Sequence, residues 1–445
     1  MSPFKFDSQA LEFKPLKDVA HVIMGQSPPS SAYNDERSGL PFFQGKTELG
    51  SLHPTPRKWC SMPTKIAEPE DILMSIRAPV GPTNIAIERA CIGRGLAAIR
   101  PKDGLRVRWL LYAFRAMESK IDSLGTGTTF KAISGDVLRH LEVPIAPLAY
   151  QDQAIEELEK QFSRLDEAVA NLQRVKANLK RYKASVLKAA VEGRLVETEA
   201  TLARREGRTY ETGEQLLQRI LEERRANWIG RGKYKEPEST RIEHTFDLPE
   251  GWAWATLGHL SLSVKDGPHY SPKYVDEGIP FISGGNVRPE GIDFKSAKYI
   301  TTELHQELSK RCKPEVGDLL YTKGGTTGIA RINTDPREFN VWVHVAVLKL
   351  AEPLHRFYVQ HALNSQHCYR QAQEYTHGVG NQDLGLTRMV WITVPLPPQA
   401  EQARIVAEVD RHLSIIREVE AEVDANLQRA QALRQAVLAK SFQPL

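Results

Sequence analysis

The tripeptide Gly45-Lys46-Thr47 is the part of the sequence that comes closest to the phosphate-binding loop of nucleotide enzymes. Such a loop also requires a glycine five residues before Gly45, and Leu40 stands there instead. Gly39 lies one step too far, and a loop one residue longer would not place the same backbone amides around a phosphate. The tripeptide therefore predicts a turn rather than a nucleotide site.

Other catalytic patterns are missing from the sequence. No HExxH pattern occurs, and neither Pro28-Pro29 nor Pro397-Pro398 follows the Asn or Asp that the tetrapeptide of an amino-methyltransferase requires. Gly93-Arg94-Gly95 and Gly125-Thr126-Gly127 lack the third glycine and the acidic residue of a dinucleotide site, and are typical of tight turns. The chain is therefore predicted to be no enzyme and to have no catalytic residue.

Histidine and cysteine, the common metal ligands, form no recognisable set. His355 and His361 are six residues apart on a predicted helix, near opposite sides, and no cysteine or carboxylate nearby completes a metal site. We expect no metal ion, and stoichiometric zinc in the purified protein would contradict this. The cysteines form no CxxC pair and are expected to be ordinary thiols. They are Cys60, Cys91, Cys312 and Cys368.

The composition is that of a folded chain. Its 445 residues predict about three domains. With 41% hydrophobic and 26% charged residues, and no apolar stretch approaching roughly 20 residues, neither wholesale disorder nor a membrane span is expected. The start lacks the features of a secretory signal, which predicts a cytoplasmic protein. The net charge is +4, yet residues 236–395 hold 16 Lys and Arg against 19 Asp and Glu, so a polyanion bound there would depend on locally placed cations.

One unit of sequence occurs twice, at an offset of 251 residues. Val143-Pro144-Ile145-Ala146-Pro147 recurs as Val394-Pro395-Leu396-Pro397-Pro398. Upstream, with small gaps, residues 71–75 match residues 318–322. An internal repeat of this kind indicates two similar structural units.

Each copy ends in a stretch that predicts a long helix. Residues 152–191 contain no proline or glycine, and their apolar residues recur mostly at spacings of three and four, which is typical of a coiled-coil seam. Residues 406–437 show a looser version of the pattern. Each helix of about 40 residues would be roughly 60 Å long, longer than the core of a small domain needs. The first seam is predicted to contain Ile155, Leu158, Phe162, Leu165, Val169, Leu172, Val175, Leu179, Tyr182 and Val186.

The segments before these helices show short β-branched or aromatic runs between Gly, Pro and Asn turns, which indicates strands in an α+β globule. Short helices are predicted near residues 107–119 and 356–374. Residues 193–250 are charged and punctuated by glycine, and predict a surface connector with a helix over residues 214–228.

The predicted fold class is α+β, with two globular domains joined by two long antiparallel coiled-coil helices and related by a pseudo-twofold axis. Such pairing would hold two binding surfaces at a fixed separation, and duplex DNA presents two half-sites related by its own twofold axis. The globules differ far more than the helices do. Either each globule reads a different half-site, or the sequences have drifted since duplication.

Four features of the sequence carry a resemblance to a known family. They are the duplicated plan, the proline-rich segment 394–402, the helix end Val437-Leu438-Ala439-Lys440-Ser441-Phe442 and the segment 189–195. With these features the chain resembles the specificity subunit of type I restriction–modification systems over essentially its whole length. It departs from the repeat at its end, where Gln443-Pro444-Leu445 replaces the Glu-Gly-Arg-Leu of the first helix.

The resemblance implies target-recognition domains at residues 1–148 and 251–398, spacer helices at 149–192 and 399–445, and a connector at 193–250. It implies that the chain reads a bipartite, asymmetric double-stranded DNA target and directs adenine methylation or cleavage by partner subunits. No cofactor is expected on this chain, since S-adenosylmethionine is expected on two modification subunits and ATP on restriction subunits. Arg174, Lys180 and Arg181 are candidates for docking the modification subunits, or belong to a solvated helix face.

Base reading requires polar side chains on loops that can enter a groove, while phosphate contacts supply position and salt-sensitive affinity. Glycine-rich loops at matching positions in both copies are the first choice, although each candidate is also consistent with an ordinary exposed polar residue. The candidates in the first globule are Gln26, Ser27, Lys46, Thr47, Arg77, Arg94 and Lys131. Those in the second are Lys265, His269, Tyr270, Lys273, Asn286, Lys323, Arg331, Asn381 and Gln382.

Two other classes of function stay open at this point. The main alternative is a non-catalytic protein-binding scaffold whose long helices dock partner helices. The weaker one is a free-standing nuclease or methyltransferase, which the missing motifs oppose. Salt dependence distinguishes the scaffold from a DNA-recognition subunit, because a protein that reads DNA loses affinity for duplex DNA steeply as ionic strength rises.

Overall fold

A computed structural model describes residues 11–127, 131–228, 232–238, 246–352, 354–378 and 382–442. These residues form two compact units, one within Met1–Arg174 and Val423–Leu445, the other within Val175–Glu422. Each unit mixes helices with sheets. Among the helices in the described ranges, none is both long enough and apolar enough to cross a membrane.

The first unit is built on a four-stranded antiparallel sheet whose central strands are almost wholly buried. Its order is Ala20–Met24, Leu96–Pro101, Ile72–Ser75 and Thr83–Ile85. A five-stranded sheet has the order Tyr33–Asn34, Lys58–Cys60, Leu40–Phe43, Ala90–Ile92 and Ile66–Ala67. Glu12–Pro15 pairs with Glu142–Ile145. The short helices are Leu16–Val19, Val107–Ala116, Glu118–Ser123 and Gly135–Arg139, with 3₁₀ turns at Ser30–Ala32 and Lys46–Glu48.

The second unit repeats the four-stranded sheet. Its order is Ser261–Asp266, Val345–Leu350, Leu319–Thr322 and Ala330–Ile332. Smaller sheets contain Lys298–Ile300, Ile279–Ile282 and Asn340–Val341, then Val287–Arg288 with Gly291–Ile292, and Ala253–Thr256 with Thr393–Leu396. The helices are Glu199–Glu206, Gly213–Ala226, Leu257–Leu260, Thr302–Ser309, Arg356–Leu363, Gln366–Glu374 and Leu386–Met389, with a 3₁₀ turn at Gly284–Asn286.

A buried carboxylate occupies the same place in both four-stranded sheets. Asp71 pairs with Arg100 at 2.8 Å, and Asp318 pairs with Lys349 at 3.1 Å. Both carboxylates precede a buried strand and both cations lie on the neighbouring strand. The internal repeat therefore extends to individual side-chain contacts.

A buried glutamine at the start of each long helix is a second shared contact. Gln151 accepts a hydrogen bond from the backbone N–H of Arg106 at 2.8 Å, and Gln402 accepts one from that of His355 at 2.9 Å. Each glutamine also donates to the carbonyl five residues before it, at 2.7 and 3.0 Å. Arg106 and His355 precede matching helices, so the glutamine links each long helix to the helix packed beside it.

Each unit also ties a large aromatic side chain to the strand that enters the long helix. The indole N–H of Trp109 donates to the carbonyl of Pro144 at 2.8 Å, and the hydroxyl of Tyr358 donates to that of Pro395 at 2.7 Å. The two prolines are related by the repeat offset. Different aromatic residues thus perform the same structural role.

The two long helices are Leu148–Val191 and Gln399–Phe442, each of 44 residues. The first helix ends because Gly193 adopts a left-handed conformation, with φ of 66°. The backbone N–H of Arg194 then donates to the carbonyl of Ala189 at 2.9 Å and satisfies the last turn. This is the helix end that glycine at this position predicts.

Within the first unit, the two long helices run antiparallel. Arg434 lies over the ring of Phe162 at 4.7 Å, and Phe442 packs on Trp109, which also contacts Tyr150. Residue numbers therefore rise along one helix as they fall along the other.

The second unit has the same direction of pairing between its own helical segments. The hydroxyl of Tyr182 and Nδ1 of His412 are 2.9 Å apart, and the backbone N–H of Glu199 donates to Glu401 at 2.8 Å. Val186 and Val409 lie in one apolar cluster.

The predicted seam of the first long helix is buried only towards its two ends. Leu158, Phe162 and Val186 are buried, whereas Val175 and Tyr182 are 39% and 44% exposed. No residue between 163 and 185 is buried.

The connector is more than a surface link. The predicted helix over residues 214–228 is present as Gly213–Ala226, but a further helix, Glu199–Glu206, precedes it. Leu216 and Ile220 are buried in the core of the second unit. The prediction of a surface connector is wrong for this helix, because its buried apolar residues pack on the sheet of Ala253–Thr256 and Thr393–Leu396.

Candidate nucleic-acid interface

A cleft of about 660 Å³ lies in the first unit where three loops meet. The loops follow strands Leu40–Phe43, Ile72–Ser75 and Ala90–Ile92. Side chains that are far apart in the sequence therefore share one surface. Five of the predicted residues line it: Ser27, Lys46, Thr47, Arg77 and Arg94.

Glycine allows two of these loops to approach each other closely. A Cβ atom on Gly95 would lie 2.1 Å from the carbonyl oxygen of Gln44, which is backbone and has little freedom to move. Only glycine avoids this clash. The turn that carries Arg94 therefore packs directly against the loop that carries Lys46.

Lys46, Arg77 and Arg94 give this cleft positive charge. All three are exposed, and none forms an ion pair with a residue in the described part of the chain. One carboxylate, that of Glu48, lines the same cleft and accepts a hydrogen bond from the backbone N–H of Gly45 at 3.0 Å. Unpaired cations on loops are suited to binding a phosphate backbone.

The other two candidates of the first unit differ in availability. Gln26 is exposed and adjoins the cleft through Ser27. Lys131 is held beside the Arg77 loop, because its carbonyl accepts a hydrogen bond from Ala78 at 2.9 Å. Its ammonium group pairs with Asp122 at 2.5 Å, so Lys131, unlike Lys46, Arg77 and Arg94, already has a carboxylate partner.

Lys323 does not occupy the exposed loop position that the sequence predicts. Its side chain is 3% exposed, and its ammonium group lies 2.8 Å from Asp383 and 3.5 Å from Asp266. A lysine at such a site needs ionic partners, since burial of an unpaired charge is costly. The matching residue of the first unit is the buried Ile76. Lys323 is therefore part of the interior of the second unit.

Asn286 is also buried, so the prediction of an exposed side chain is wrong for it too. Its side-chain oxygen accepts a hydrogen bond from the backbone N–H of Ser283 at 2.9 Å. Its amide group donates to the carbonyl of Asp293 and to the hydroxyl of Ser296, each at 3.1 Å. These bonds shape the loop that the sequence predicts here.

A second cleft, of about 410 Å³, lies at the end of strand Ser261–Asp266. The candidates His269 and Tyr270 line it. Arg311 lines it as well, but it follows helix Thr302–Ser309 rather than a glycine-rich loop with a counterpart in the first copy. For that reason sequence reasoning missed it.

The remaining candidates of the second unit do not converge on this cleft. Arg331 is half-buried and donates to the carbonyl of Pro289 at 3.2 Å, and burial lowers its pKa. Asn381 lies outside the described residues. The exposed candidates are Lys265, Lys273 and Gln382.

One histidine of the second unit, His361, has a carboxylate neighbour that the sequence did not reveal. Nε2 of His361 lies 3.1 Å from Oδ1 of Asp410, and this hydrogen bond lowers the pKa of the carboxyl group. The described residues contain no group of three or more His, Cys, Asp or Glu that could hold a metal ion.

The four cysteines are buried and form no disulfide, and burial raises the pKa of Cys312 to about 11.

Residues 9–181 and 249–428 match the family model described as the type I restriction modification DNA specificity domain. Over 149 residues the chain is 42% identical to the putative specificity subunit of the type I restriction enzyme MjaX of Methanocaldococcus jannaschii, a match that covers 33% of this chain and 34% of that protein. It is 24% identical to the specificity subunit of the type I restriction enzyme EcoBI of Escherichia coli, over 96% of this chain and 84% of that protein.

Among solved structures, the crystal structure of the HsdS subunit from Thermoanaerobacter tengcongensis is 46% identical over 36% of this chain and 40% of that chain, with a TM-score of 0.33. The chain thus spans about a third of the MjaX relative and most of the EcoBI relative. The two segments that match the family model coincide with the two copies of the internal repeat.

Proposed function

The chain belongs to the family of the type I restriction modification DNA specificity domain, and from this premise we propose that it reads DNA sequence for a type I restriction–modification complex. The target would be bipartite and asymmetric, with one half-site for each copy of the repeat. The relatives are named as specificity subunits of such enzymes.

The cleft of the first unit is the observation that carries this proposal. It brings Lys46, Arg77 and Arg94 together on three loops, exposed and free of carboxylate partners among the described residues. Duplex DNA is a ligand that such unpaired cations attract, through release of counterions from its phosphates. The protein scaffold, the main alternative, gives no reason for this arrangement.

The chain would leave chemistry to its partners. Two modification subunits would carry S-adenosylmethionine and methylate adenine, and restriction subunits would use ATP and cleave, all in the cytoplasm. This division is consistent with the missing catalytic motifs, and no cofactor is proposed for this chain. Arg174, Lys180 and Arg181 are exposed on the first long helix and are proposed to help dock the modification subunits.

The two long helices are proposed to act as spacers between recognition domains at residues 1–148 and 251–398, as antiparallel coiled coils related by a pseudo-twofold axis. Each has 44 residues and would be roughly 66 Å long. Their length would set the gap between the half-sites. Removing about one helical turn from both helices should change that gap and leave the half-sites unchanged.

Genome-wide mapping of methylated adenine tests the proposal most directly. We expect cells that contain this chain with its modification subunits to show one bipartite methylated sequence, which disappears when the chain is deleted. Steep loss of duplex binding with rising salt should accompany it. Methylation that persists without the chain, or a complex with no affinity for duplex DNA, would favour a scaffold instead.

A further inference from the structure

Asp266 is the centre of an ionic cluster beside the cleft of the second unit. Its side chain is 2% exposed, and its carboxylate lies 2.8 Å from Arg311, 3.2 Å from His269 and 3.5 Å from Lys323. Asp266 is the last residue of strand Ser261–Asp266, and its backbone pairs with Ala346 in the four-stranded sheet. The cluster joins three segments of the second unit around one buried anion.

The members of this cluster differ in their access to a ligand. Lys323 is 3% exposed and also contacts Asp383, so it neutralises charge inside the unit. Arg311 and His269 are 60% and 64% exposed. One nitrogen of the Arg311 guanidinium bonds to Asp266, which leaves its other N–H groups for the cleft.

A loop that lines the same cleft is also tied to a neighbouring residue. The indole N–H of Trp342 donates to the carbonyl of Tyr270 at 3.2 Å, next to His269. The side chain of Tyr270 is 52% exposed and lines the cleft. The cleft therefore combines a loop that is hydrogen-bonded to Trp342 with an arginine that is hydrogen-bonded to Asp266.

The charge balance decides what such a site recognises. Asp266 and Asp383 offset Arg311 and Lys323, so the cluster adds little net attraction for phosphate. What it offers is a guanidinium that is already hydrogen-bonded to a buried carboxylate in the free protein, which lowers the cost of ordering it on binding. An arginine presented in this way suits bidentate hydrogen bonding to O6 and N7 of guanine, the commonest specific contact in the major groove.

We propose that Arg311, oriented by Asp266, reads a guanine in the half-site of the second unit, with His269 as a neighbouring donor. This rests on the proposed function in DNA recognition. Arg311 is the residue that touches the base, and Asp266 is a positioning residue that acts through it.

The test uses the full chain in complex with its modification subunits, and duplexes that each change one base pair of the methylated target. The wild-type complex should lose about 10- to 100-fold in affinity at one G·C pair of the second half-site. R311K keeps the charge but loses the planar fork, and should bind the changed and unchanged duplexes equally at that pair. K310A removes a neighbouring exposed charge and should weaken all duplexes alike.

D266N checks the positioning role. It should reduce discrimination at the same G·C pair while binding to the other duplexes keeps its order, and thermal unfolding shows whether the variant is folded. If D266N does not fold, R311K decides. Unchanged discrimination in R311K overturns the inference on Arg311, whereas a wild-type complex that discriminates at no base pair overturns the proposed function.

Discussion

The first unit surrounds its cleft with exposed cations, whereas the second unit places a buried ionic network at the matching strand end. After the strand Ile72–Ser75 comes the apolar Ile76, and after Leu319–Thr322 comes Lys323, paired with Asp266 and Asp383. The buried aspartates that precede these strands, and the buried glutamines at the start of the long helices, are alike in the two units. Strand ends can therefore change their chemistry because other residues hold the fold.

Of the changes that test this difference between the units, removal of the buried Lys323 should have the largest effect, on the free energy of unfolding. Lys323→Ile gives the second unit the residue type that the first unit has at Ile76. It also removes the lysine that pairs with Asp266 and Asp383. We expect a loss of about 3 kcal/mol in the free energy of unfolding, since a buried carboxylate loses an ionic partner. Denaturant unfolding measures this.

Lys265→Ala is the matched control for that change. Lys265 is exposed on strand Ser261–Asp266 of the same sheet, so its removal should alter stability by less than about 0.5 kcal/mol. Equal stability of Lys323→Ile and the wild type would mean that the ionic network does not stabilise the second unit.

The shared glutamines test whether the interiors are equivalent. Gln151→Leu and Gln402→Leu each leave a backbone N–H without its partner, at Arg106 and at His355. Each should cost about 1–3 kcal/mol in the free energy of unfolding. Gln153→Leu, an exposed change in the same helix turn, should cost far less. Tolerance of one buried change but not the other would show that the two interiors differ.

The unpaired cations of the first cleft should act mainly through salt. In the double variant Arg77→Ala and Arg94→Ala, binding of the complex should weaken for all duplexes, and the slope of log affinity against log salt should fall by about 2. Arg57→Ala removes an exposed charge of the same unit outside the cleft, and should change the slope less. A changed base preference with an unchanged slope would assign base reading to Arg77 and Arg94 instead.

The smallest expected difference concerns pH. Burial lowers the pKa of His259 and His355, both in the second unit, from the ordinary value of 6.5. As pH falls below about 6.5, the unfolded chain takes up protons that the folded unit does not, so stability is lost. Urea unfolding at about pH 7.5 and about pH 5.5 should show this loss, and His259→Gln should reduce it. The same pH dependence in His259→Gln as in the wild type would exclude His259 as a source.

Much of the fold was predictable because its signals are local or repeated. The 251-residue offset relates Gln151 to Gln402 and Pro144 to Pro395, which make matching contacts. The helix predicted at 107–119 is present as Val107–Ala116 and Glu118–Ser123. Proline, glycine and apolar spacing carry this information without any knowledge of neighbours in space.

In the second unit the predicted His269 and Tyr270 line a cleft although Arg311 was missed, but the candidate site was more fully predictable in the first unit. There, exposed loop residues converge as their positions suggested. In the second unit, burial of Lys323 follows from two aspartates far away in the sequence, and Arg311 becomes important through Asp266. Pairing across such distances leaves no pattern in a single sequence.

The uneven burial of the first long helix determines where its backbone hydrogen bonds should open first. An isolated helix opens from its ends, but here Leu158, Phe162 and Val186 fasten the ends and no residue between 163 and 185 is buried. Backbone amides near the middle should therefore take up deuterium before those at either end. The middle of the helix would therefore open locally while both of its ends stay packed.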